Sequence, residues 1–319
     1  MSGGAICLLE NFARRYRGAI ASDGDLDGIF ATGLLVRYLR GIGIDVRYYY
    51  PSPRELRGLT VDGYILVELP LTRGLIYRGE NILIDHHNGP ARIELFRDSE
   101  VVKSFSLGEA KSVADLVVRV LNIDIDTELL DAVNQIDMGE YRTPLAEMIH
   151  KAYLLNISSS EMRIMLTELV AECRWNKIKE WAEKEHTKWN SFVEPRIDYF
   201  VKRAQVLVPS VVFFVYREDN DIDKAARTPA LMRLEDMYDI VISIGVDENN
   251  NAVAARIATK KPIDLTKVFE QLRKMGHNAG GRAKVGGVQF NNRTLSEVLA
   301  DLRKINWPRP NISVRVIYA

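Results

Sequence analysis

Two short segments place acids and imidazoles at the ends of apolar runs. In Ile82-Leu83-Ile84-Asp85-His86-His87-Asn88 an apolar strand delivers one acid and two imidazoles to its end. Buried without partners, such groups would cost several kcal/mol, so the pattern points to a metal or an anionic substrate. Earlier in the chain, Gly18-Ala19-Ile20-Ala21 leads into Ser22-Asp23-Gly24-Asp25-Leu26-Asp27-Gly28. Its three alternating carboxylates would repel one another without a cation between them. Asp and Gly also build ordinary surface turns, and the first segment alone could be one. It is not a calcium loop, because Leu34 stands where the bidentate Glu would be required. Together, the two segments favour a metal centre. Carboxylates plus imidazole without thiolate suit Mn²⁺ or Mg²⁺ better than structural zinc.

The elements that must position these residues alternate. Ile20 closes a strand, 29–39 has helical periodicity, 45–50 is β-branched and aromatic, 64–68 and 82–84 are short apolar runs, and 113–121 is helical again. Such alternation predicts a parallel sheet covered by helices, in which ligands bind beyond the carboxyl ends of the strands. Asp25, Glu68 and His86 each fall at such an end. From Ser158 the texture changes: Ser158-Ser159-Ser160-Glu161 reads as a capping box opening a charged, Trp-containing helical connector that runs to about Ala204. Strands return at 211–215 and 240–244, then a hairpin turn at 247–251, a strand at 252–257, a helix at 265–275, a strand at 288–290 and a helix at 295–305. The expected division is 1–155, 156–205 and 206–319.

Composition sets bounds. A chain of 319 residues fits two domains, each with its own core. Lys plus Arg (43) equals Asp plus Glu (43), so no global positive field draws the chain to nucleic acid and any such affinity must come from local patches. Lys260, Lys261, Arg273, Lys274 and Lys284 could form one, although charges on helix faces are commonly just solvated. Cys7 and Cys173 are too few for a disulfide framework or a zinc site, and a reducing cytoplasm is expected. Neither a signal peptide nor a membrane span is expected. Trp175, Trp181 and Trp189 are expected to pack between lobes, and His150 and His186 have no neighbours that suggest chemistry.

The order Asp-x-Asp-x-Asp-Gly, then Asp-His-His, then Ile136-Asp137-Met138-Gly139 resembles the DHH phosphoesterase superfamily, specifically its RecJ-like nuclease branch. Near the C-terminus, Gly280-Gly281-Arg282-Ala283-Lys284-Val285-Gly286-Gly287 looks like the signature of the associated DHHA1 domain, usually Gly-Gly-His-x-x-Ala-Ala-Gly. The resemblance implies an N-terminal parallel-sheet DHH domain, a helical connector and a smaller C-terminal α/β DHHA1-like domain, with the active site in the cleft between lobes.

The resemblance also implies hydrolysis of phosphodiesters by two Mn²⁺ or Mg²⁺ ions about 4 Å apart. Asp23, Asp25, Asp27, His86 and Asp137 would be metal ligands, and His87 would touch the scissile phosphate. Asp85 is better placed to orient an imidazole, and Asp25, Asp85, His86 and His87 form the expected catalytic set. Asp137 could instead simply end a helix. The chain departs from the family twice. Glu68 stands where the family has an Asp bridging both metals, and Arg282 stands where the signature has His. Arg282 would grip a substrate phosphate with Gly280, Gly281 and Lys284, while His277 offers the motif in another register. The expected substrate is single-stranded DNA or RNA digested from an end. The alternatives are short oligonucleotides or mononucleotides, or a non-catalytic place among replication or repair proteins.

Overall fold

The computed structural model describes residues 2–71, 74–87 and 89–309; Asn88 of the acid and imidazole segment, and 310–319 of the expected C-terminal domain, lie outside them. The chain divides into two compact units, Met1–His186 and Thr187–Ala319. The segment expected as a connector is shared between them.

The first unit runs α1 (Ser2–Tyr16), β1 (Ala19–Ser22), α2 (Leu26–Gly41), β2 (Arg47–Tyr49), α3 (Pro53–Leu56), β3 (Thr60–Val61), β4 (Tyr64–Val67), β5 (Ile76–Tyr77), β6 (Glu80–Asp85), β7 (Arg92–Arg97) and β8 (Glu100–Ser106). Helices α4 (Val113–Leu121), α5 (Thr127–Asp137), α6 (Pro144–Leu155), α7 (Ser160–Ala171) and α8 (Trp175–Lys188) follow. Its main sheet has the order β2-β1-β4-β6-β7-β8. The first four strands are parallel, as the alternation predicts, and β7 and β8 extend the sheet antiparallel. Helix α2 is apolar around most of its circumference because it is enclosed: Ile29, Phe30, Leu34 and Leu35 are wholly buried, and α4, α5 and α7 pack on it. Met162, Leu166 and Val170 of α7 and Ile178 and Ala182 of α8 enter the same core, with Trp175 and Trp181 packed against it. That burial is why this part of the connector belongs to the first unit. The N-cap of α7 is Ser159, whose hydroxyl accepts the Met162 N–H at 3.1 Å. Glu161 receives the same hydroxyl at 3.1 Å and so does not close a reciprocal box.

In the second unit a π-helical turn, Trp189–Val193, leads into α9 (Glu194–Arg203), and Trp189 is buried with its Nε1 donating to Glu194 at 3.1 Å. Then come β9 (Gln205–Val208), β10 (Val211–Arg217), α10 (Asp221–Met237), β11 (Ile240–Val246), β12 (Asn251–Ala258), α11 (Thr266–Lys274), β13 (Asn278–Gly281), β14 (Val285–Thr294) and α12 (Leu295–Lys304). The sheet order is β13-β14-β12-β11-β10-β9, parallel only between β10 and β11, which α10 connects. Ile242, Ile244, Ile257, Val268, Phe269, Val288 and Leu302 form its core. Among the described residues no helix is long and apolar enough to cross a membrane.

Candidate metal centre

Three adjacent parallel strands end at one level. Ser22 pairs with Val67, and Val67 with Ile84, so Asp23, Glu68 and Asp85 leave the same edge of the sheet. The backbone N–H of Glu68 still donates to the Ile84 carbonyl at 3.0 Å. Glu68 itself has φ 58, a left-handed conformation that few non-glycine residues adopt.

Asp25 is the N-cap of α2 and accepts the Gly28 N–H at 2.8 Å. Asp27 is buried, and its two oxygens accept the first two N–H groups of α4, from Val113 at 2.6 Å and Ala114 at 2.7 Å. That contact fixes the position of α4 against the site. Asp137 is the last residue of α5, so it does end a helix, and its Oδ2 also lies 3.2 Å from His86 Nε2. The same imidazole nitrogen is 3.4 Å from Glu68 Oε1 and 3.8 Å from Asp27 Oδ2. Gly28 is required by this crowding: a Cβ there would lie 2.2 Å from Ser22 Oγ and 2.8 Å from Asp23 Oδ1.

Both Glu68 oxygens and His86 Nε2 are buried without a hydrogen bond. Burial first, then the charge of Asp27, pushes the Glu68 carboxyl well above the ordinary range, and burial followed by Asp25 does the same to Asp27. Burial also raises Asp137, although the His86 charge opposes it. Carboxylates that resist ionisation, converging with an imidazole nitrogen that makes no hydrogen bond, fit a divalent cation taking oxygen and nitrogen. The ligand atoms form overlapping sets within 4.8 Å: Asp27, Glu68, His86 and Asp137; Asp23, Asp25 and Glu68; and Glu68, His86 and His87. Glu68 belongs to all three.

Asp85 stands behind the His87 imidazole. Its Oδ1 is 3.0 Å from His87 Nδ1 and accepts the His87 backbone N–H at 3.2 Å, while Arg92 Nη2 donates to Oδ2 at 2.5 Å. Burial would raise the Asp85 carboxyl, but these partners hold it below its ordinary value. The hydrogen bond to Asp85 raises His87. Arg92 escaped the sequence reading, although it sits directly opposite Asp85 on β7. Beside His86, His87 and Asp137 opens a pocket of about 630 Å³, also lined by Met138 and by Lys111 and Arg119, the last two of which the motifs did not signal.

The second unit places its expected residues differently from one another. Gly280 and Gly281 lie in β13, pairing with Gly287 and Gly286, and Arg282 is exposed in the turn that follows. His277 is buried against the Phe290 ring, centroids 5.2 Å apart, with Nε2 3.3 Å from Asp301. The expected basic rim is partly engaged as well, since Lys260 pairs with Asp236 at 2.6 Å, Lys284 Nζ donates to the Lys261 carbonyl, and Arg273 donates to the Ala279 carbonyl at 3.0 Å.

Comparison with known proteins agrees with this architecture. The family model for the DHHA1 domain matches residues 204–306. RecJ from Thermus thermophilus, in complex with Mn²⁺, superposes with a TM-score of 0.57 at 15% identity, covering 96% of this chain and 55% of that one. The chain shares the fold of RecJ. An exonuclease RecJ bound to manganese gives a TM-score of 0.57 at 16% identity, covering 94% of this chain and 92% of that one. The pGpG-specific phosphodiesterase PggH from Vibrio cholerae gives 0.55 at 13% identity, covering 89% and 98%. The chain spans about half the length of the Thermus RecJ. No curated protein matches it by sequence.

Proposed function

We propose that this RecJ-like protein is a metal-dependent phosphodiesterase that digests single-stranded DNA or RNA from an end, using two Mn²⁺ or Mg²⁺ ions. The observation that carries the reading is the sharing of Glu68. It joins Asp27, His86 and Asp137 on one side and Asp23 and Asp25 on the other, the arrangement expected of a carboxylate between two cations. When bound, such cations polarise a phosphoryl oxygen and acidify water.

The protein's own groups supply position. Asp85, anchored by Arg92, holds His87 through Nδ1, which leaves Nε2 of this half-exposed imidazole to meet a phosphate oxygen. As Asp85 favours the protonated ring, His87 can donate a charge-assisted hydrogen bond to the phosphate. The neighbouring pocket has room for a nucleotide and brings Lys111 to its wall. In the second unit, exposed Arg282 offers a guanidinium fork of the kind that matches phosphate.

A second reading, hydrolysis of dinucleotides or very short oligonucleotides, is supported by the likeness of the fold to the pGpG-specific phosphodiesterase PggH over 89% of this chain. Digestion of end-labelled DNA and RNA strands, from dinucleotides upward, with Mn²⁺ decides between them. Stepwise shortening of long strands supports the exonuclease, and cleavage confined to the shortest supports the second reading. Inertness on every length would overturn both and leave a binding role in a replication or repair assembly.

A further inference from the structure

Several arginines of the first unit are neutralised locally. Arg15 and Arg97 pair with Glu80, Arg40 with Glu168, Arg92 with Asp85 and Arg119 with Asp115. Arg14, Arg17 and Arg47 are exposed, and together they line one concavity of about 720 Å³. Asp45 is the single carboxylate among its lining residues, and its charge also acts on Arg40.

The fold assembles this trio from separate elements. Arg14 lies in the last turn of α1, Arg17 directly follows that helix, and Arg47 opens β2. Arg47 pairs with Ala19, the first residue of the parallel neighbour β1. The trio therefore gathers where these strands begin, whereas Asp23 leaves β1 at its other end. At about 3.3 Å per residue, the length of β1 alone separates the two places by about 13 Å. Arg17 also has φ 50. Just past a helix, that left-handed position is one that glycine or asparagine fills at least cost, so the backbone carries strain there while presenting an arginine.

Three guanidinium groups around one acid leave a local excess of positive charge in a chain whose charges otherwise balance, 43 against 43. The complement is an anion with several oxygens, and the planar guanidinium fork matches phosphate. No aromatic ring is among the lining residues, so recognition rests on the phosphate and not on a stacked base. We propose that Arg14, Arg17 and Arg47 form a phosphate-binding site at the end of the sheet opposite the acid and imidazole cluster. It takes either a backbone phosphate of single-stranded nucleic acid or the phosphate of a free nucleotide.

The test uses the full chain in EDTA, so that binding is read without hydrolysis and independently of whether the cluster is catalytic. Wild type and the triple variant Arg14→Ala/Arg17→Ala/Arg47→Ala are titrated with a labelled single-stranded oligonucleotide over a range of salt, and separately with AMP and with inorganic phosphate. For a strand site, the variant's dissociation constant rises at least tenfold. Its logarithmic salt dependence weakens by about 2, as expected for three lost phosphate contacts on a single strand. If AMP or phosphate binds wild type but not the variant while strand binding is unchanged, the site stands and its ligand is a free phosphate. Equal behaviour of the two proteins in every titration overturns it. Should the triple variant melt early, Arg14→Glu alone, at an exposed helix position, gives the same readouts.

Discussion

His86 Nε2 lies 3.4 Å from Glu68 Oε1, yet neither atom makes a hydrogen bond to the other or to anything else. Two buried polar atoms so placed are positioned for a third body between them, and their isolation without one is a cost of the fold. A cation should therefore stabilise the protein. At a hundredfold excess over its dissociation constant, Mn²⁺ would add about 2.7 kcal/mol, or about 5 to 10 °C in the melting of a unit this size. His86→Ala should abolish the shift. Glu68→Gln should abolish it too, yet melt higher than wild type in EDTA, because it removes a buried carboxyl whose ionisation its burial and the neighbouring carboxylates oppose. A wild-type melt indifferent to both Mn²⁺ and Mg²⁺ would show that the cluster is not a cation site.

Asp27 serves site and fold together. Its oxygens take the N–H groups of Val113 and Ala114 while facing His86. Asp27→Ala leaves those donors at a buried helix end without partners, which should cost about 1 to 3 kcal/mol in urea unfolding. Asp27→Asn keeps one acceptor and should cost less, while still losing the stabilisation by Mn²⁺. Equal unfolding free energies for wild type and Asp27→Ala would remove the capping role.

The double duty of Asp27 also marks how far the sequence could be read. Asp23, Asp25, Glu68, His86 and Asp85 were legible because they lie at or just past the ends of apolar runs, and parallel strands bring such ends to one edge. That Asp27 caps a helix beginning at Val113 depends on tertiary contact that no local pattern records. Strand β7 and Arg92 were missed for a related reason. In Arg92-Ile93-Glu94-Leu95-Phe96-Arg97 the apolar alternation breaks at Leu95-Phe96 and is diluted by charges within and at both ends of the segment. Helix α10 was hidden by Pro229 within it, a residue that ordinarily ends helices. The packing of His277 on the Phe290 ring was equally hidden, because a glycine-rich neighbourhood carries no local sign of which ring its imidazole meets.

His150 carries a pH dependence remote from those motifs. Burial lowers it from 6.5 to about 4, and its Nδ1 is buried without a partner. A histidine whose folded value is depressed is held neutral by the fold. The unfolded chain binds its proton first, so stability is lost as pH falls from 6.5 towards 4 and is undiminished above that window. The loss attributable to this half-buried ring is at most about 3 kcal/mol, at about 1.36 kcal/mol per pH unit. His150→Gln should flatten the unfolding free energy across that window, and an unchanged acid profile in the variant would assign the loss to other groups.

Glu68 decides whether the site works as built. In a shared position between cations, its charge offsets theirs, and Glu68→Gln should depress hydrolysis of a labelled oligonucleotide at least about a hundredfold, the order seen when an electrostatic element of a hydrolytic site is removed. Glu68→Asp tests length and backbone together. The shorter side chain draws the carboxylate back by about one bond, while aspartate tolerates the φ of 58 at this position better than glutamate does. The variant should stay active with an altered ratio of rates in Mn²⁺ and Mg²⁺. An inert wild type beside an active Glu68→Asp would make the native chain a binding subunit. Equal rates for wild type and Glu68→Gln would show that Glu68, despite its place in every ligand set, does not join two metals.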